Sequence, residues 1–255
     1  GGYLARRLNE HGHSVALIEE HDEIGRPFQC AGLVNPKAMD KVALQNTILT
    51  NIWGANIHSP SGLCVNVGDP SENRTFSVCR KLFDEGVVMQ SIASGTDLRL
   101  STKPSSVMIE AEKMVVSIDG PNGSEDIEGK LICGADGAHS WVRRHFRMGK
   151  PTETLIGFQI EVTGYRGQSG VLDMYTGNSI SPGFFSWAIP SGETTRIGTW
   201  SKPEMMDGAS SEEYLNILMA SKDLNYRFNN CSEVGRYCGP VPTGIVKRPL
   251  LERVA

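Results

Sequence analysis

The chain has 255 residues, 39% apolar and 21% charged, enough for one large or two small domains with a hydrophobic core and too many for a disulfide-stapled miniprotein. Lys+Arg 25 against Asp+Glu 29 gives a net charge of -4, so no overall basic field exists to hold nucleic acid, and no nucleic-acid partner is expected. No stretch approaches the ~20 consecutive apolar residues that span a bilayer, and the mean hydropathy is -0.24, so any membrane contact is expected to be peripheral.

The six cysteines, Cys30, Cys64, Cys79, Cys133, Cys231 and Cys238, form no C-x-x-C pair and no Cys/His cluster at zinc spacing. Reduced thiols and no metal site are expected. The opening GGYLARRLNEHGHSVALIEEHDEIG lacks an initiating Met and the regions of a signal peptide. Leu4, Ala5 and Leu8 share a helical face, Gly12 is a helix stop, and 15–18 is a short apolar run ending in Glu19 and Glu20. In a dinucleotide-binding unit an acidic residue follows the G-x-G-x-x-G glycines by about 20 positions. Glu19 stands at about that remove from Gly1-Gly2, so Gly2 is expected to be the third glycine, with the first strand and first two glycines preceding this stretch. Such a glycine lets the helix pack tightly, turns its N-terminus to a pyrophosphate, and leaves the carboxylate to accept from ribose hydroxyls.

Residues 23–36 (EIGRPFQCAGLVNP) carry Gly25, Pro27, Gly32 and Pro36 and read as a ligand-touching loop. The β-like alternation over 52–78 predicts one or two hairpins, and Arg80 opens a predicted helix to about Ser94. Residues 105–133 read as a meander ending in a buried strand, Leu131-Ile132-Cys133, which enters GADGAHSWVRRHF: glycine turn, then a helix begun near Ser140. A glycine turn between strand and helix is where open α/β sheets bind ligands. Four strands are predicted over 155–162, 170–175, 183–189 and 195–200, all antiparallel, followed by a helix capped by Ser210 or Ser211 with Leu215, Leu218 and Met219 facing the core. The tail GPVPTGIVKRPLLERVA finishes inside what reads as the start of a strand.

Four segments in this order, Gly1-Gly2 with Glu19, Arg80 with Phe83-Asp84, GADGAHSWVRR at 134–144 and FFSWAIP at 184–190, resemble the glutathione-reductase-type FAD fold of the p-hydroxybenzoate hydroxylase superfamily. The match to G-A-D-G-x-x-S-x-V-R-R is through Gly134, Ala135, Asp136, Gly137, Ser140, Val142, Arg143 and Arg144. Within it, the loop with Pro27, Cys30 and Gly32, and the run Phe185, Trp187 and Pro190, are similar to the archaeal geranylgeranyl reductases. Phe185 stands where that family usually has Tyr, and Ile189 where it has an aromatic residue.

The resemblance implies an α/β (α+β) fold: an FAD-binding Rossmann-like domain (1–50, 77–150 and 239–255) carrying an inserted antiparallel-sheet substrate domain (51–76 and 151–238). It also implies that a flavin-binding segment of G-D-A-A-G type follows Ala255. It implies FAD held by Gly1, Gly2, Glu19, Glu20, Cys30, Ala31, Gly32, Arg80, Gly134, Ala135, Asp136 and Gly137. Cys30 is the catalytic candidate, and Phe185, Trp187 and Pro190 are the substrate-binding ones, with Phe184 and Trp200 beside them lining an apolar tunnel. The implied reaction is hydride transfer to the double bonds of an isoprenoid lipid, in a cytoplasmic protein working at the inner face of the membrane, with ferredoxin, NAD(P)H or a deazaflavin as electron donor. The F-S-W-A-I-P run also resembles the W-x-W-x-I-P run of flavin-dependent halogenases, which keeps a halogenase or aromatic hydroxylase as the alternative.

Overall fold

The computed structural model describes residues 1–28 and 30–255; Gln29, inside the 23–36 loop, lies outside them. The first part of the chain forms α1 (Gly2–Glu10), β1 (Ala16–Ile18), β2 (Leu33–Val34), α2 (Pro36–Val42), β3 (Ile48–Ile52), β4 (Gly54–His58), β5 (Cys64–Gly68), β6 (Thr75–Val78), α3 (Arg80–Ala93) and β7 (Asp97–Arg99). There follow β8 (Lys103–Ile109), β9 (Met114–Gly120), β10 (Gly123–Gly129), α4 (Trp141–His145), β11 (Pro151–Thr163), β12 (Val171–Thr176), β13 (Phe185–Ser191), β14 (Thr194–Ser201), α5 (Ser211–Met219), α6 (Asn225–Phe228) and β15 (Ser232–Val246). The chain divides into two compact units, 1–27 with 81–153 and 243–255, and 28–80 with 154–242.

In the first unit β1 and β7 pair in parallel, Ala16 opposite Asp97 and Ile18 opposite Arg99, with α3 leading into β7. A parallel pair needs such a crossover connection. Helix α1 meets α3 through its smallest residues: a β-carbon on Gly2 would stand 3.1 Å from Val88 and 3.2 Å from Val87. The inward face therefore runs through Gly2 and the buried Ala5 to Asn9, which donates to Thr96 Oγ1. Leu4, placed on the core face by the sequence, is exposed, because close helix approach selects small side chains over large ones. The meander β8–β9–β10 forms as predicted, turning at Pro121-Asn122 between Gly120 and Gly123. The strand expected at 131–133 is reduced to one parallel bridge, Ile132 opposite Val254. Its ladder is three hydrogen bonds long, from Ile132 N–H to Arg253 O, Ala255 N–H to Ile132 O and Gly134 N–H to Ala255 O, and Leu131 is exposed.

The second unit is built on a seven-stranded sheet in the order β15-β11-β14-β13-β12-β4-β5. One correction to the sequence reading and two additions to it arise here. The sheet is mixed, since β12 pairs with β4 in parallel, Val171 opposite Gly54. Only β4 and β5 make a hairpin of the 52–78 stretch; β6 joins β2 and β3 in a separate three-stranded sheet. Finally, β15 extends through Pro240 and Pro242, which alternation scoring discards; it is an edge strand, mostly exposed, where proline is tolerated. Helix α2 also escaped notice, although Asn35 as N-cap (accepting from Ala38 N–H at 2.8 Å) followed by Pro36 is a legible start signal.

Alternation divides the large sheet into two faces. Phe158, Ile160 and Val162 of β11, Tyr175, Ala188 and Ile197 form a buried core with Leu215 and Leu218 of α5 and Phe228 of α6. Helix α5 starts as predicted, with a capping box in which Ser210 Oγ accepts from Glu213 N–H and the Glu213 carboxylate accepts from Ser210 N–H. Ser210→Ala is expected to cost about 1 kcal/mol, read as a lower urea midpoint with an unchanged m-value; an unchanged midpoint would show the cap to be idle.

Candidate active site

The opposite face of the sheet carries the aromatic residues picked out from the sequence. Phe184 and Phe185 stack with ring centroids 4.4 Å apart, Phe184 lies 5.0 Å from Trp200, and Trp187 meets Trp200 edge-on at 5.5 Å. Trp187 is only 5% exposed and packs with Ile52 and Ile189, flanked by Ala31, Leu172, Phe185 and Trp200. Its orientation is set by a glycine. Trp187 on β13 faces Gly198 on β14, which faces Gln159 on β11, and a β-carbon on Gly198 would overlap the indole. The ring lies across that gap and its Nε1–H donates to Gln159 Oε1 at 3.1 Å. Pro190 is one residue out of phase with Phe185, Trp187 and Ile189, so the pleat places it on the other face, and the structure does not bring it to the aromatic wall.

Phe28 and the Cys30-Ala31-Gly32 run belong to the same unit. Cys30 Sγ accepts from Gly32 N–H at 3.4 Å and from Arg80 Nη1 at 3.6 Å, so two of the cofactor candidates, 50 positions apart, are in contact. Gly32 has a φ of 79° and leaves no room for a β-carbon, which would overlap the Arg196 guanidinium. The Ala31 carbonyl accepts from Arg196 Nη1 at 3.1 Å.

In the first unit the glycine motifs converge. A β-carbon on Gly1 would stand 2.9 Å from Leu17 Cδ1 and 3.6 Å from Ala135 Cβ. Gly134 packs on Val142, and Gly137 takes a φ of 69°. Asp136 Oδ2 accepts from Val142 N–H at 3.0 Å, and Ser140 caps α4 by accepting from Arg143 N–H. Arg143 braces the turn by donating to Ala138 O and Gly149 O. Glu19 turns back on His21, accepting from its N–H at 3.0 Å and lying 2.6 Å from its Nδ1, while Glu20 pairs with Lys103 at 3.2 Å.

Sequence reading missed two buried ionic features, both in the second unit. Asp173 is 0% exposed, and its carboxylate lies 2.7 Å from His58 Nε2 and accepts from Asn56 at 3.1 Å, Tyr165 OH at 2.7 Å and Arg227 Nη1 at 3.2 Å. Burial pushes this carboxyl up, but the bonds from His58 and Tyr165, the Arg227 charge and the bond from Asn56 outweigh it and hold it below the usual range. Tyr165 and Tyr175, their hydroxyls 2.7 Å apart, are pushed up by burial and by the Asp173 charge. The second feature is Arg196, 3% exposed on the aromatic face, where burial pulls the guanidinium down. The only sequence signal of either was a charged residue at an inward position of a predicted strand.

No protein-family model matches the chain. Digeranylgeranylglycerophospholipid reductase of Methanosarcina acetivorans is 29% identical over 201 residues, 76% of this chain and 49% of that protein; the chain thus spans about half the length of that relative. The enzyme of the same name from Methanoculleus marisnigri is 28% identical over 270 residues, covering 100% of this chain and 65% of that one. Among solved structures, a geranylgeranyl bacteriochlorophyll reductase-like protein of Thermoplasma acidophilum superposes with a TM-score of 0.89 at 19% identity, over 100% of this chain and 66% of that one. The myxobacterial chondrochloren halogenase, an FAD-dependent enzyme, superposes less well, with a TM-score of 0.81 at 15% identity over 100% of this chain and 64% of that one. The chain is a sequence relative of the digeranylgeranylglycerophospholipid reductases and carries the mixed α/β fold of FAD-dependent flavoproteins.

Proposed function

We propose that this chain is the flavin- and substrate-binding part of an FAD-dependent reductase that saturates geranylgeranyl chains of membrane ether lipids. The observation that carries the reading is the wall of Phe184, Phe185, Trp187 and Trp200 on one face of the sheet, in a sequence whose relatives are named for reducing a digeranylgeranyl lipid. An unactivated alkene has no carbonyl for hydrogen-bond donors to stabilise, so the protein must contribute alignment, exclusion of water and a proton. An aromatic wall supplies the first two.

The first unit fits FAD. The N-terminus of α1 has no side-chain cap and no acidic residue in its first turn, so its unpaired N–H groups suit a pyrophosphate, and Gly1 packs bare against Leu17 and Ala135. Gly1, Gly2, Glu19, Glu20 and the 134–137 turn are assigned to its phosphates and ribose, Arg80 to phosphate oxygens through its guanidinium fork, and Cys30, Ala31 and Gly32 to the flavin ring. Bound and reduced, FAD supplies the hydride. Cys30 is the only side chain of the 27–32 segment able to release a proton, and we assign it the proton that reaches the neighbouring alkene carbon. The domain division 1–50, 77–150 and 239–255 for cofactor, 51–76 and 151–238 for substrate, is part of the same proposal. So are contact with the membrane surface and an electron donor drawn from ferredoxin, NAD(P)H or a deazaflavin. No helix among the described residues is long and apolar enough to cross a membrane.

The test is to express the protein with its full coding sequence, reduce it with dithionite in the absence of air, add digeranylgeranylglycerophospholipid and follow the lipid by mass spectrometry. Gains of about two mass units per double bond are expected, slowed at least ~10-fold by Cys30→Ala. No gain, with oxygen-dependent hydroxylation or halogenation of an aromatic compound instead, would replace this reading by the alternative.

A further inference from the structure

Arg196 stands on β14 facing the aromatic wall, and its surroundings are not those of an ordinary buried ion pair. Among the described residues no carboxylate pairs with it: Glu161, its cross-strand neighbour, accepts instead from Thr194 Oγ1. One nitrogen, Nη1, donates to both Ala31 O and Val78 O, each at 3.1 Å, and Nε is buried with no partner. The guanidinium lies 4.9 Å from the Phe28 ring centroid and occupies the space a side chain at Gly32 would need.

Burying a guanidinium costs several kcal/mol, and with no carboxylate bonded to it among the described residues the cost is offset only in part by the Glu161 charge on the neighbouring strand. A buried charge without a bonded counter-ion is weak evidence for stability, which turns attention to what the guanidinium holds in place. What it touches is one short stretch of chain and the strand beside it. Phe28 is stacked on it, Ala31 is bonded to it and Gly32 is shaped around it, while Gly32 O accepts from Val78 N–H at 2.9 Å, which ties the same segment to the strand whose carbonyl Arg196 also holds. Cys30 lies between these fixed points and adds its own bond to Arg80.

We propose that Arg196 is a positioning residue: from the sheet that bears the aromatic wall it fixes Phe28, Ala31 and Gly32, on either side of Cys30, and thereby sets the place of the Cys30 thiol. Its catalytic consequence rests on the reductase reading above; its structural consequence does not. Methionine at 196 keeps most of the volume but neither hydrogen bond. Lysine keeps the charge and one nitrogen able to reach the two carbonyls, without the planar group over Phe28.

The experiment compares the wild-type protein, expressed from its full coding sequence, with Arg196→Met and Arg196→Lys. The rate at which iodoacetamide alkylates each cysteine is read by peptide mass spectrometry, and lipid reduction is followed in parallel. In Arg196→Met the Cys30 rate is expected to rise about fivefold or more as the segment opens locally. Cys231, half-buried elsewhere in the same unit, stays within about twofold. Reduction should fall about 10- to 100-fold in kcat with KM within about threefold, and Arg196→Lys should recover part of both changes. An unchanged Cys30 rate, an equal rise at Cys30 and Cys231, or a lysine variant no different from methionine would each overturn the proposal. If the wild-type protein reduces no lipid, the reductase reading falls and the alkylation rates alone decide the role of Arg196.

Discussion

Asp173→Ala is expected to remove about 3–5 kcal/mol of folding stability, the cost of breaking a buried charge network by deleting one partner. The substitution withdraws the acceptor shared by His58, Asn56, Tyr165 and Arg227, whose donors are then left inside the protein. Asp173→Asn retains one acceptor oxygen and the shape, and should cost roughly half as much. Urea unfolding of the three proteins checks both values; a loss below ~1 kcal/mol for the alanine variant would show that the network is solvated and weak. The same group predicts a pH dependence. Because the folded carboxyl is held below its ordinary value, its contribution is full above the unfolded value near ~3.9 and is lost as pH falls through the folded one. Wild-type Tm should therefore fall more steeply below about pH 4 than that of Asp173→Asn. Parallel curves would count against the sign of this shift.

Trp187→Ala is the second large effect. Removing a buried indole from the cluster of Ile52, Ile189 and Trp200 is expected to cost about 3–5 kcal/mol, and the Gln159 carbonyl loses its donor. If the aromatic wall aligns the lipid chain, reduction should also drop about 100-fold, since small misplacements of a reacting group have effects of that order. Flavin absorbance per protein should stay unchanged, because most of the residues assigned to FAD, namely Gly1, Gly2, Glu19, Glu20 and the 134–137 turn, lie in the other unit. Loss of flavin together with activity would point to general collapse. Full activity would remove Trp187 from the substrate site.

The elements that were legible in the sequence are those whose signals are local. Ser210 with Glu213, and Ser140 at the head of α4, are hydrogen-bond patterns complete within a few residues; the helix begun near Ser140 formed as read, and of the two caps expected for α5, Ser210 or Ser211, the structure takes Ser210. The four strands over 155–200 are long alternating runs, and Phe185 and Trp187 share a face by the pleat alone. The same rule, applied one residue further, removes Pro190 from that face.

Features that escaped the sequence depend on partners distant along the chain. Asp173 meets Asn56 and His58 from 117 and 115 positions away, and Arg196 meets the carbonyls of Ala31 and Val78 from 165 and 118. Neither residue type nor periodicity encodes such distances. The edge strand β15 was hidden for a related reason: an exposed edge imposes no apolar alternation, so its pairing with β11 is visible only once the sheet is assembled.

The sequence by itself determined the mixed α/β character of the chain, the glycine turns, the helix starts and the aromatic run, because these follow from backbone sterics and from the periods of helix and strand. Only the tertiary structure decided that β4 joins β12 in parallel, that a missing β-carbon at Gly198 aims the Trp187 indole at Gln159, and that an arginine with no bonded carboxylate among the described residues holds the Ala31 carbonyl beside Cys30. These last features arise from chain closure, which brings groups together whose cost or benefit exists only when both are buried in one place.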